Sequence, residues 1–131
     1  MNNRNVCWRD GRSRVYSVEV GQEQNINIGY PAALSAAGEL RPVGVDAADI
    51  VPGIVAQVYP AVTPDGQSLA EVHLGVALIS CDNTVTPALL LRDVGVTADG
   101  VVTELVDGVN KLGRLVEFER GSAGAVWVEV G

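Results

Sequence analysis

The chain has 131 residues, of which 47% are hydrophobic and 19% are charged, and its formal net charge is −7. This length suits one domain of ordinary size, and this composition excludes an intrinsically disordered chain. The acidic balance argues against a protein that binds duplex nucleic acid, because such proteins gain affinity mainly by neutralising phosphates.

The first fourteen residues differ in charge from the rest of the chain. They contain four arginines and one acid, whereas residues 15–131 contain five basic side chains and fifteen acids. We therefore predict a basic N-terminal arm over residues 1–14, which reaches towards an acidic partner, and a single β-rich domain over residues 15–131. A solvated tail with ordinary charges is an equally open alternative at this point.

The compartment is predicted from the start of the chain and from its cysteines. Residues 1–14 lack the hydrophobic core of a secretion signal, and no apolar stretch reaches the about 18 residues of a transmembrane helix. Cys7 and Cys81 show no paired spacing, so we expect two reduced thiols. We expect synthesis in the bacterial cytoplasm and no membrane partner.

Five segments alternate between apolar and polar residues with the period of two that indicates half-buried antiparallel strands. In chain order they are residues 14–20, 25–28, 71–80, 115–120 and 125–130. In the third segment, four alternate apolar residues are expected to share one face: Val72, Leu74, Val76 and Leu78. In the last segment, three valines are expected to share one face: Val126, Val128 and Val130.

Turns and short helices are predicted between these strands. Glycine accepts positive φ, so tight reversals are expected at the Asp-Gly pairs 65–66, 99–100 and 107–108 and at Pro-Gly 52–53. Short helices are predicted within residues 31–40, within 86–92 (where a strand is an equal alternative), and as a single turn at 46–50. The whole pattern predicts a mainly β fold, a small antiparallel barrel or sandwich with one or two short helices and an extended N-terminal arm.

Catalytic and metal-binding motifs are not found in the sequence. His73 is the single histidine, and neither Cys7 nor Cys81 has a recognisable nucleophile context, although a small hydrolase with a Cys–His dyad stays an alternative. Two distant thiols and one imidazole do not supply a zinc site. Two carboxylate pairs are expected to be solvated charges: Glu117 with Glu119, and Asp46 with Asp49. We therefore expect no enzyme and no cofactor.

Two tryptophans stand out among few aromatic residues. Trp127 falls on the side of its strand opposite the valines, where it either anchors a subunit interface or fills the far side of a two-faced strand. Trp8, within the basic arm, is either a contact anchor or a cover for the mouth of the barrel. Aromatic clusters that bind sugars or single-stranded nucleic acid are not expected with so few rings.

The second half of the chain combines predicted strands with turns of small residues in an order that is found in a known family. GVALIS (75–80) leads through the Asp-Gly turn of VGVTADGVVTEL (94–105) to KLGRLVEFERGSAGAVWVEVG (111–131), which ends in a V-x-V-x-V strand. Together with NIGYPAALSAAG (27–38), these segments resemble the short, β-rich predicted capsid decoration (cement) proteins of bacteriophages. The resemblance covers about half of the chain and rests on the spacing of apolar residues and glycines.

The resemblance implies a β-barrel-like, frequently trimeric subunit that binds the major capsid protein on the outer surface of the phage head and stabilises it. The expected location is therefore the virion, with no nucleic-acid partner. On this hypothesis, five residues of the basic arm contact the capsid: Arg4, Trp8, Arg9, Arg12 and Arg14. Trp127 is the candidate for the subunit interface. The alternative is a non-enzymatic receptor- or carbohydrate-binding module of a virion fibre or tail.

Overall fold

The computed structural model describes residues 4–120 and 124–131, and the fold is mainly β, with 48% of residues in strands and 5% in helical turns. Single 3₁₀ turns occupy Glu23–Asn25 and Pro87–Leu89. The strands are β1 (Cys7–Trp8), β2 (Arg12–Ser17), β3 (Pro31–Leu34), β4 (Leu40–Pro42), β5 (Ile50–Tyr59), β6 (Leu69–Ser80), β7 (Asp93–Val96), β8 (Val102–Thr103), β9 (Asn110–Phe118) and β10 (Ala125–Val130).

The strands form one curled antiparallel sheet in the order β4-β3-β5-β6-β10-β9-β7-β8. The long strand β6 lies at its centre: residues 69–73 pair with β5, and residues 75–80 pair with β10. Two isolated bridges connect the end strands of this order to residues next to β2 and β6: Val18 pairs with Leu40 of β4, and Cys81 pairs with Val102 of β8. The result is a half-barrel, which confirms the predicted fold class.

The N-terminal segment, residues 4–17, lies against this sheet. Strand β1 pairs with the second part of β6, and β2 pairs with the first part. The predicted boundary between arm and domain, after residue 14, therefore falls inside β2. The segment is held there because the ladder with β6 satisfies backbone groups that an extended arm would leave to solvent.

Strand β6 changes its buried face at Gly75. Ala70, Val72 and Leu74 are buried before it, whereas Ala77 and Ile79 are buried after it. Between the pairs Trp8–Ala77 and Arg12–Leu74, the N-terminal segment has three residues and β6 has two, which is a β-bulge. The prediction that Val76 and Leu78 continue the buried face of Val72 and Leu74 is therefore wrong, because after Gly75 the opposite face of β6, with Ala77 and Ile79, packs into the core.

The core consists of two clusters of buried side chains. The larger contains the predicted inward valines of β10, which confirms their shared face, and is formed mainly by β5, β6, β7, β9 and β10. The smaller includes Val18, Leu40, Val55 and Val72 and fills the curl formed by the first half of the chain.

Three local predictions fail. Residues 31–34 form β3 rather than a helix, because pairing with β4 and β5 outweighs the weak helical preference of the PAAL segment. Residues 25–28 form no strand, since Asn25 ends a 3₁₀ turn and residues 26–28 lie in a loop, although Ile26 is buried as its spacing indicated. Gly53 lies inside β5 rather than in a turn. A Cβ atom there would lie 2.4 Å from the carbonyl oxygen of His73, so the glycine permits close strand approach.

Candidate functional site

The N-terminal segment carries the predicted contact residues, and its first described residue is held inside the fold. Arg4 Nη2 donates to the carbonyl oxygen of Gly100 at 2.9 Å, and Nε donates to that of Gly29. The guanidinium carbon lies 4.2 Å from the centre of the Tyr30 ring. Partial burial lowers the pKa of Arg4, while the nearby Tyr30 raises it to a smaller extent. Arg4 thus ties the segment to two turns of the domain.

Arg9 fastens the segment to the outer face of the sheet. Its guanidinium forms an ion pair with Glu117, and its Cζ lies 4.1 Å from the centre of the Trp127 ring. Its backbone N–H donates to the carbonyl oxygen of Val76 at 2.9 Å. One arginine therefore contacts β6, β9 and β10, so its charge is already engaged within the chain.

Trp127 lies on the outward face of β10 but is only 9% exposed. Arg9 covers its ring, and its Nε1 donates to Glu119 Oε2 at 2.8 Å. Of the two interpretations of this residue, the structure matches the filling of a two-faced strand. A ring so well covered by its own chain offers little surface to a second subunit.

Trp8 is half-buried and packs against the larger core cluster. Its ring lies 5.5 Å from that of His73, centre to centre. The indole therefore closes the region between the N-terminal segment and the sheet, and part of it remains accessible.

Arg12 and Arg14 are the two arginines of the segment whose charges remain available. Both are exposed, and they lie on the same face of β2 because they are two residues apart. Within the described residues, neither side chain forms an ion pair or a hydrogen bond. Ser13, which lies between the two arginines, and Val15, which follows them, are also exposed, and the exposed fraction of Val15 is 54%. This stretch is an exposed basic strip on an acidic chain.

The single histidine is not part of a formed nucleophile–base pair in the described chain. His73 Nε2 lies 3.5 Å from Ser13 Oγ, which is long for a hydrogen bond between these groups. Neither thiol is hydrogen-bonded to His73 among the described residues. Burial, aided by the charge of Asp82, raises the pKa of Cys81 and so disfavours its thiolate.

Several carboxylates of the described chain form ion pairs or hydrogen bonds within the fold. No group of three or more His, Cys, Asp or Glu side chains at positions 4–120 and 124–131 is placed to hold a metal ion. Asp49 is buried and paired with Arg41, Nε to Oδ2 at 2.7 Å, so the expectation of a solvated charge is wrong there. The buried Asn110 amide donates to the carbonyl oxygens of Asp46 and Asp49. Residue spacing gave no signal for this network, since its members lie on different strands and loops.

Comparisons with known proteins add no relative: no family model, curated protein or solved structure matches the chain significantly. Among the described residues, helices are too short to reach across a lipid bilayer. The function is therefore inferred from this chain's own residues and from the resemblance noted above.

Proposed function

We propose that this protein is a non-enzymatic capsid decoration subunit, which binds the major capsid protein on the outer surface of a bacteriophage head. The observation that carries the proposal is the basic strip of β2. Arg12 and Arg14 are exposed and unpaired within the described residues of a chain whose net charge is −7. Such charges suit an acidic docking surface. The resemblance of residues 75–131 to decoration proteins supports the same role.

We propose that fewer residues contact the capsid than the sequence suggested. Arg12 and Arg14 would form the ion pairs, and the accessible part of Trp8, beside His73, would be a separate contact. Arg4 and Arg9 act as positioning residues, because their guanidinium groups hold the segment on the domain. In this arrangement the contact surface is preformed, so binding does not require an arm to be ordered.

Many copies make such a contact effective. A single exposed ion pair contributes only about 0.2–1 kcal/mol, but a symmetric shell presents the same site many times. We propose a homotrimer, in which linked subunits bind together and raise the apparent affinity without any new type of contact. Stabilisation would come from bridging adjacent capsid proteins.

Binding to undecorated heads tests this function. Heads that lack the subunit, from the phage that encodes it, should bind the purified protein in a sedimentation assay and become more resistant to heat. Arg12→Glu combined with Arg14→Glu should weaken binding at least about tenfold, because each attraction becomes a repulsion. The matched control is Arg92→Glu with Arg120→Glu, which makes the same charge change at two other exposed sites. Absence of wild-type binding, or equal loss in both variants, would contradict the proposal.

A further inference from the structure

The outer edge of β2 presents backbone groups that point away from the sheet. The backbone N–H of Val18 donates to the carbonyl oxygen of Ser68, in register with the β2–β6 ladder, so the backbone polar groups of Val18 face β6. The backbone N–H of Glu19, the next residue, faces the other way and donates to the carbonyl oxygen of Leu40. Successive residues of an antiparallel strand alternate in this respect. Ser13 and Val15 therefore direct their N–H and C=O groups away from β6.

These edge groups have no backbone partner among the described residues. Among the described strands, β2 pairs with β6 alone, and every residue from Arg12 to Val15 is exposed. Most proteins cover or disrupt such an edge, since unpaired strand groups form a template for another strand. Here the exposed part of the edge ends in an apolar side chain, Val15.

The positive charge of this edge favours an added strand that carries acidic side chains. Arg12 and Arg14 lie about 7 Å apart on one face of the strand, and neither has an acidic partner in the described chain. A strand added at this edge would place its own alternate side chains beside them. Carboxylates at those positions would form favourable cross-strand pairs, whereas basic residues would be repelled.

We infer that the outer edge of β2 is a strand-addition site for an extended, acidic segment of a partner protein. Backbone hydrogen bonds to Ser13 and Val15 would provide the affinity, and Arg12 and Arg14 would select acidic residues two positions apart. The inference goes beyond the proposed function, because it identifies the binding groups and does not require that the partner be a capsid protein.

A second copy of β2 is a poorer occupant. Antiparallel pairing of two β2 edges about Val15 would place the Arg14 side chains diagonally across from each other, with both Arg12 side chains nearby. Four positive charges would then surround the new pair without acids between them. An acidic segment removes this repulsion.

A labelled peptide in which glutamate alternates with threonine is the probe, and fluorescence anisotropy is the measurement. The peptide should bind the full chain saturably, and its lysine counterpart should not. Val15→Pro removes the outward N–H without removing a hydrogen bond to β6, so it should weaken binding at least about tenfold. Val15→Thr keeps that N–H and is the matched control, with affinity expected within about twofold of wild type.

The arginines are tested in the same assay. Arg12→Gln with Arg14→Gln should weaken peptide binding about fivefold and flatten its salt dependence. Arg92→Gln with Arg120→Gln should leave the peptide affinity and its salt dependence unchanged. This pair of variants keeps the inference testable even if the proline variant does not fold. Hydrogen exchange at Ser13 and Val15 should slow only when the glutamate peptide is present.

Several outcomes would overturn strand addition: no binding of the glutamate peptide, equal binding by the proline and threonine variants, or self-association that Val15→Pro abolishes. The last would make a second copy the occupant. Head binding that persists while peptide binding is absent would refute this inference alone. Peptide binding without head binding would refute the proposed function alone.

Discussion

At Gly75 the backbone of β6 has a φ of +139°, a conformation that side-chain-bearing residues rarely adopt. A Cβ atom there would lie 2.5 Å from the carbonyl oxygen of Asp10, in the bulge of the facing segment. The glycine thus permits the close approach of the N-terminal segment at the point where the buried face of β6 changes. Its role is structural, yet it determines where the basic strip of β2 lies.

Substitution of this glycine should therefore be costly. We expect Gly75→Ala to lower the free energy of unfolding by about 2–3 kcal/mol, from backbone strain and displacement of the bulge. The matched control is Gly66→Ala, because Gly66 also has positive φ but has open space around a Cβ atom. It should cost only about 1 kcal/mol. Urea unfolding measures both, and equal losses would show that contact with Asp10 contributes nothing.

The sequence predicted the buried face of a single strand better than a change of buried face within a strand. Alternation in residues 125–130 correctly predicted the buried valines of β10, because a strand with one buried face repeats with a period of two. It did not predict the switch at Gly75, since the buried face of each half of β6 depends on which core cluster covers it. The cover of Trp127 by Arg9 and the pairing of Asp49 with Arg41 likewise depend on tertiary contacts that leave no periodic signal.

At the scale of the elements, β1 depends strongly on side-chain contacts, because its ladder with β6 has two residues. Arg9 follows it directly and contacts both Glu117 and Trp127. An exposed ion pair stabilises by about 0.2–1 kcal/mol, and an exposed cation–π contact by about 0.5–1 kcal/mol. Arg9 therefore keeps β1 on the sheet and excludes water from the outer face of Trp127.

Removal of that side chain should loosen β1 while leaving the rest of the sheet folded. We expect Arg9→Ala to lower the free energy of unfolding by about 1–2 kcal/mol and to shift tryptophan emission to longer wavelength as water reaches the indole. Hydrogen exchange should accelerate in β1 and hardly at all in β7. Arg92→Ala is the control and should change neither property. An unchanged emission spectrum for Arg9→Ala would contradict this role of the arginine.

On the scale of the whole molecule, charge is divided between an acidic body and a short basic strip that the sheet holds in place. The basic charge near the N-terminus was predictable from the sequence. Its division into two engaged arginines and two available ones was not, because it depends on which side chains meet Glu117, Gly29 and Gly100. The curled sheet thus presents a preformed edge rather than a loose arm.

Cryo-electron microscopy of undecorated heads incubated with the purified protein tests the central claim most directly. Bound subunits should appear as additional density on the outer surface of the shell, with the edge of β2 that carries Arg12 and Arg14 facing the capsid protein. Heads without additional density, or bound subunits whose β2 edge faces solvent, would contradict the account.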